Sequence, residues 1–123
     1  MLDQAQSHYL KVTLRARIGQ DVWLFNGQDG QWRAIITVMS KKQVALTVTE
    51  KVAQQRTAPD IRLCFAPVKN EKIDYTVRRA TELGVRRIQP IMTEYTVVSR
   101  VNTARLRANV IEAAQQSERL DVP

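Results

Sequence analysis

Basic side chains dominate the groups in this sequence that could do chemistry. Its 123 residues hold 19 Lys and Arg against 12 Asp and Glu, a formal net charge of +7. A surface of that sign attracts polyanions, of which nucleic acid is the commonest. Residues 1–56 carry eight Lys/Arg against four Asp/Glu, and residues 57–123 eleven against eight, so both parts share the excess. In the first part Lys11, Arg15, Arg17, Arg33, Lys41 and Lys42 are candidate phosphate contacts. Each falls on a predicted helix, strand or hairpin turn from which a long cation can reach a nucleic-acid backbone. Trp23 and Trp32 could stack on bases, but their alternating strand positions favour the core. Glu82 is the acid that stands out. It lies in the last turn of a predicted helix, where negative charge opposes the macrodipole. It is either a solvated acid beside Arg78, Arg79 or Arg86, or an acid held for a substrate or a second domain.

Several classes of chemistry are excluded. The sequence contains no phosphate-cradling GxGxxG or Walker loop, no Cys/His metal cluster and no Ser-His-Asp set. His8, the sole histidine, reads as a helix residue bonding locally, and Cys64, the sole cysteine, as a buried inert thiol in an apolar strand. One cysteine forms no disulfide within the chain. No apolar run approaches the roughly 20 residues of a membrane span. The start, MLDQAQSHYL, lacks the layout of a signal peptide, so a cytoplasmic protein is expected.

The elements that position these groups centre on KNEKIDYTVRRATELG, residues 69–84. Ile73, Val77, Ala80 and Leu83 form the stripe of a half-buried helix, with Asn70 as N-cap, Glu71 in the first turn and Gly84 as terminator. Apolar strands at 61–67 and 85–92 flank it, and strand, helix and strand at this spacing make a parallel βαβ unit. Before them lies a β-rich part. A short helix capped by Ser7, with Leu10 and Leu14 as its stripe, precedes strands at 22–25, 31–39 and 43–51. Asn26-Gly27 and Ser40-Lys41-Lys42 are the turns between those strands. This part reads as a small barrel that lacks a first strand. Residues 53–59 read as a linker, 93–101 as a strand-end loop, and a last helix capped by Asn102 or Thr103 buries Leu106, Val110, Ala113 and Ser117. The fold class is α+β: a barrel over 1–56, then an unfinished α/β layer over 57–123.

Three segments of the second part carry a family resemblance. They are KNEKIDYTVRRATELGV (69–85), IQPIMTE (88–94) and EAAQQSERLDVP (112–123). In this order and spacing they resemble the bacterial small-subunit ribosomal RNA uridine-N3 methyltransferases of the RsmE type. HYLKVTLR (8–15), GQDVWLFNG (19–27) and Lys41-Lys42 resemble the helix, strand-turn and hairpin of that family's first domain. The resemblance implies a PUA-like RNA-binding barrel followed by a SPOUT methyltransferase domain. It implies S-adenosylmethionine as cofactor, 16S rRNA in the small ribosomal subunit as substrate, and a homodimer. The family's cofactor-binding knot is expected beyond residue 123, so this chain is expected to lack that pocket and to be inactive alone. The rival expectation is a non-catalytic RNA-binding module.

The matched polar positions are Lys69, Glu82, Glu94, Gln116 and Arg119. Arg79 stands where the family usually has Lys, which keeps the charge and changes the geometry. Tyr95-Thr96 replaces the common Arg-Ser, and Gln115 and Glu118 replace the usual Glu and Gly. Through this resemblance Glu82, Glu94, Gln116 and Arg119 become candidate catalytic residues, and Lys69 and Arg79 join the candidate RNA contacts. Arg119 could stabilise the uridine anion, with Glu82 or Glu94 orienting a partner or base edge. The competing role for Glu82, Gln116 and Arg119 is to knit helices together.

Overall fold

Asp3, not Ser7, starts the first helix. Its Oδ1 accepts the Gln6 N–H at 2.7 Å while Gln6 Oε1 accepts the Asp3 N–H at 3.2 Å, a reciprocal capping box. The computed structural model describes residues 1–96 and 100–123. It divides into two units, Met1–Gln55 and Arg56–Pro123. Among the described residues no helix is long and apolar enough to cross a membrane.

In the first unit α1 (Gln4–His8) runs directly into a π-helical turn, Tyr9–Thr13. The wider i→i+5 spacing rotates the expected stripe. Leu10 stays buried, whereas Leu14 turns out to 52% exposure. Strands β1 (Asp21–Phe25), β2 (Gln31–Met39) and β3 (Val44–Ala53) form one antiparallel sheet in the order β1-β2-β3. Ala34 and Ile36 of β2 are fully buried, and Ile36 packs with Val44, Leu10 and Ala16 as the core cluster. Because side chains alternate across a strand, the register Val22↔Ala34 and Trp23↔Arg33 sends Val22 inward and Trp23 outward. Trp23 is 56% exposed, against the core position expected for it, while Trp32 is half-buried. Gly30 is obligatory. At φ +85°, a Cβ there would stand 2.2 Å from Ala53 O.

In the second unit β4 (Arg62–Phe65) and β5 (Arg87–Pro90) pair in parallel across helix α2 (Asn70–Glu82). The N-cap of α2 is Lys69 rather than Asn70: Lys69 O already accepts the N–H groups of Lys72 and Ile73, at 2.9 and 3.1 Å. The helix ends in a Schellman turn. Gly84, at φ +91°, donates to Thr81 O and Val85 donates to Ala80 O. That turn lifts Leu83 away from the core, leaving it 85% exposed, and Thr81 takes the buried place. Helix α3 (Thr103–Gln116) is capped by Asn102, whose Oδ1 accepts the Arg105 N–H at 3.1 Å. Ile73, Val77 and Val110 form the core with Phe65, Ile88, Leu106 and Val122. Leu63 and Phe65 are half-buried, and alternation sends Arg62 and Cys64 to the other face. Cys64 is therefore exposed, not buried as expected. Ser117 is exposed too, its hydroxyl donating back to Ala113 O at 2.8 Å. Residues 97–99 of the expected strand-end loop lie outside the described residues.

Candidate functional site

The cations of the first unit fall into two groups. Lys11 Nζ donates to Ser40 O, tying the π-helical turn to the β2–β3 hairpin. Ser40 also shapes that hairpin, its Oγ accepting the N–H of Lys42 at 3.3 Å and of Gln43 at 3.1 Å. Lys41 and Lys42 stand exposed at the tip, and Arg15 and Arg17 are exposed after the π turn. No Asp or Glu occurs in residues 4–20 or 30–49, so this rim carries uncompensated charge. Arg33 belongs to the outer sheet face. It pairs with Glu50 at 2.9 Å, which offsets its charge locally. Lys51 lies 5.9 Å from the Trp32 ring centroid, a cation–π contact.

The acids and amides of the second unit occupy different places. Glu82 takes a hydrogen bond from Arg79 Nη1 at 2.6 Å, and the Arg79 guanidinium lies 5.2 Å over the Tyr75 ring. The hydrogen bond to Glu82, reinforced by its charge, raises the Arg79 pKa above the ordinary arginine value. Arg119 is the most enclosed charge among the described ion pairs, its side chain only 9% exposed. Its Nε and Nη2 fork onto Asp121 at 2.7 and 3.3 Å, and Nη1 donates to Thr81 O at 3.0 Å, at the C-terminal end of α2. Gln116 donates to Glu112 at 3.3 Å, and Glu112 stands 3.8 Å from Arg78. Glu94 is exposed in the turn after β5, with no hydrogen bond or ion pair among the described residues, and Lys69 is exposed at the start of α2.

These positions do not converge. In a parallel βαβ unit β4 leads into the N-terminus of α2, so Lys69 and Glu94 lie at the carboxyl end of the strands. Glu82 and Arg119 lie at the other end. The 13-residue helix between them is about 20 Å long. Open α/β sheets bind ligands outside the carboxyl ends of their strands. At that end a cavity of about 660 Å³ is lined by Asn70, Asp74, Arg100 and Arg105 together with apolar residues that include Ile73 and Leu106. Asp74 is committed there, pairing with Arg105 and accepting from Asn109 Nδ2 at 3.1 Å. Sequence reading had not singled out Arg100 or Arg105 as site residues. The available signal was topological: two helices whose N-termini both follow strands.

Comparison with known proteins places the chain among RNA-modifying enzymes. Residues 55–123 match the family model described as RNA methyltransferase domain, and residues 2–49 that described as RNA methyltransferase PUA domain. The Ribosomal RNA small subunit methyltransferase E of Rickettsia conorii is 35% identical over 116 residues, 94% of this chain and 48% of that protein. Its namesake from Synechocystis sp. is 34% identical over 125 residues, 99% of this chain and 41% of that protein. The chain thus spans about half the length of the curated relatives it matches. Among solved structures, the Ribosomal RNA small subunit methyltransferase E from Neisseria gonorrhoeae bound to S-adenosyl methionine superimposes with a TM-score of 0.89 at 29% identity. The match covers 99% of this chain and 52% of that one.

Proposed function

Since the chain belongs to the RNA methyltransferase family, we propose that it supplies the RNA-holding barrel (1–56) and the first part of the catalytic domain (57–123) of a small-subunit ribosomal RNA methyltransferase. The substrate in this reading is N3 of a uridine in 16S rRNA, the methyl donor is S-adenosylmethionine, and the whole protein works in the cytoplasm as a homodimer. The observation that carries it is the acid-free basic rim of Arg15, Arg17, Lys41 and Lys42 on the first unit. Such a rim suits a phosphate backbone, and the parallel unit that follows has the strand ends at which a nucleotide binds.

The residues of this chain do not themselves fit the methyl donor. An adenosine needs an apolar slot and a sulfonium favours a free acid. The cavity at the strand ends has apolar walls in Ile73 and Leu106, but two cations, Arg100 and Arg105, face a sulfonium there, and its one carboxylate, Asp74, is already spent. What these residues can do concerns the uracil. Its N3–H is weakly acidic, so methylation requires loss of that proton and a base held in place. Glu94, exposed at the carboxyl end, is the acid suited to take the proton, and Lys69 and Arg100 at the same end favour the resulting anion. Glu82 and Arg119, held by Arg79 and by Thr81 and Asp121, position the far end of α2, and Gln116 orients Glu112. Mass spectrometry of 16S rRNA nucleosides tests the reading. Full-length protein, donor and unmodified small subunits should yield N3-methyluridine, and its absence would overturn the assignment.

A further inference from the structure

Arg15 and Glu118 are the non-glycine residues with positive φ among those described, at 50° and 57°. That region is unfavourable for most residues with a Cβ, asparagine and aspartate least so, and an arginine persists there where surrounding contacts over-determine it. Here they do. Leu14 N–H donates to Tyr9 O at 3.0 Å across the π turn, and Ala16 N–H donates to Leu10 O at 2.9 Å. Leu10 and Ala16 are both buried in the core of the first unit. The backbone is pinned on either side of Arg15, and its exposed side chain has no hydrogen bond or ion pair among the described residues. Lys11, four residues earlier, spends its ammonium on Ser40 O and so holds the Lys41–Lys42 hairpin against the same turn.

Resting on the RNA-binding reading above, we propose that this elbow is a sequence-independent grip on RNA backbone phosphates. Arg15 is a direct phosphate contact fixed by its left-handed backbone, Lys41 and Lys42 are its companions, and Lys11 is a strut rather than a contact. The grip reads charge and spacing, not bases: lysine ammonium groups are point charges suited to phosphate, and Arg15 stands with no other side chain tied to it to frame a base.

Glycine and asparagine both accept positive φ, so Arg15→Gly and Arg15→Asn remove the cation without disturbing the turn. Fluorescence anisotropy of the full-length protein with 16S rRNA fragments of equal length and different sequence, over a potassium chloride series, reads the result. Both variants should keep or raise the wild-type Tm. Each should bind every fragment more weakly by the same factor, with the slope of log K against log salt reduced by about 1. Arg15→Lys should restore the slope. Wild-type affinity and slope in both variants would overturn the grip while leaving RNA binding intact. A loss confined to one fragment would overturn it in favour of base reading. If the wild-type full-length protein binds no fragment, the RNA reading itself falls.

Discussion

Arg119 combines burial, charge and two partners, and so decides more than any other residue of the second unit. It satisfies Thr81 O at the end of α2 and both oxygens of Asp121. Arg119→Ala leaves a half-buried carboxylate without its partner, and should cost roughly 2 kcal/mol in urea unfolding. Lys cannot fork, so Arg119→Lys should recover only part of that. In the full-length protein, turnover that falls no further than the folded fraction would mark Arg119 as a positioning residue, and a much deeper loss would return it to the chemistry. Arg79 behaves differently. Its pKa is raised, so whatever stability its pairing with Glu82 contributes is present below the ordinary arginine value and is lost only as pH rises beyond it. No pH dependence from Arg79 should therefore be seen near neutrality. Trp23, Cys64 and Leu83 were misplaced from sequence for one reason: apolar type predicts burial, but strand alternation and the exact helix end decide it.

At the scale of elements, the βαβ unit and its hairpin neighbours were legible because periodicity and turn residues agree locally. Gly84 marked the end of α2, and Asn26 holds its turn by accepting the Gln28 and Asp29 N–H groups at 2.9 Å. The π turn was not legible. Nothing in YLKVT distinguishes an i→i+5 turn from an α-helix, and the shift depends on Leu10 and Ala16 packing in the core. Asn109 was missed for a related reason, since a polar residue inside a helix reads as solvent-facing. Instead its Oδ1 accepts two N–H groups of Arg78, at 2.9 and 2.7 Å, and its Nδ2 donates to Asp74 and to Arg105 O. With Glu112 these residues lace α2 to α3 side by side. Asn109→Leu fills the space but orphans several polar groups, so about 2 kcal/mol of stability should be lost. An unchanged unfolding midpoint would mean the network contributes nothing.

For the whole molecule, the acid-free basic rim and the candidate catalytic positions belong to different units. The basic rim lies on the first unit, the polar strand ends lie on the second, and the candidates Glu82 and Arg119 lie at the far end of α2. The separation of those two from Glu94 was invisible in sequence, because matching positions one by one says nothing about which pole of a βαβ unit each occupies. The charges of the cavity, Arg100, Arg105 and the committed Asp74, also predict that calorimetry of the 123-residue chain with S-adenosylmethionine should detect no heat of binding, and tight binding would contradict that reading of its lining. The most direct test of the account is steady-state methyl transfer by the full-length protein to unmodified small subunits, wild type against Lys41→Ala/Lys42→Ala. If the rim holds RNA while chemistry happens elsewhere, KM for the subunit should rise about tenfold with kcat unchanged. A KM that does not move, or a kcat that collapses with it, would contradict that division of labour.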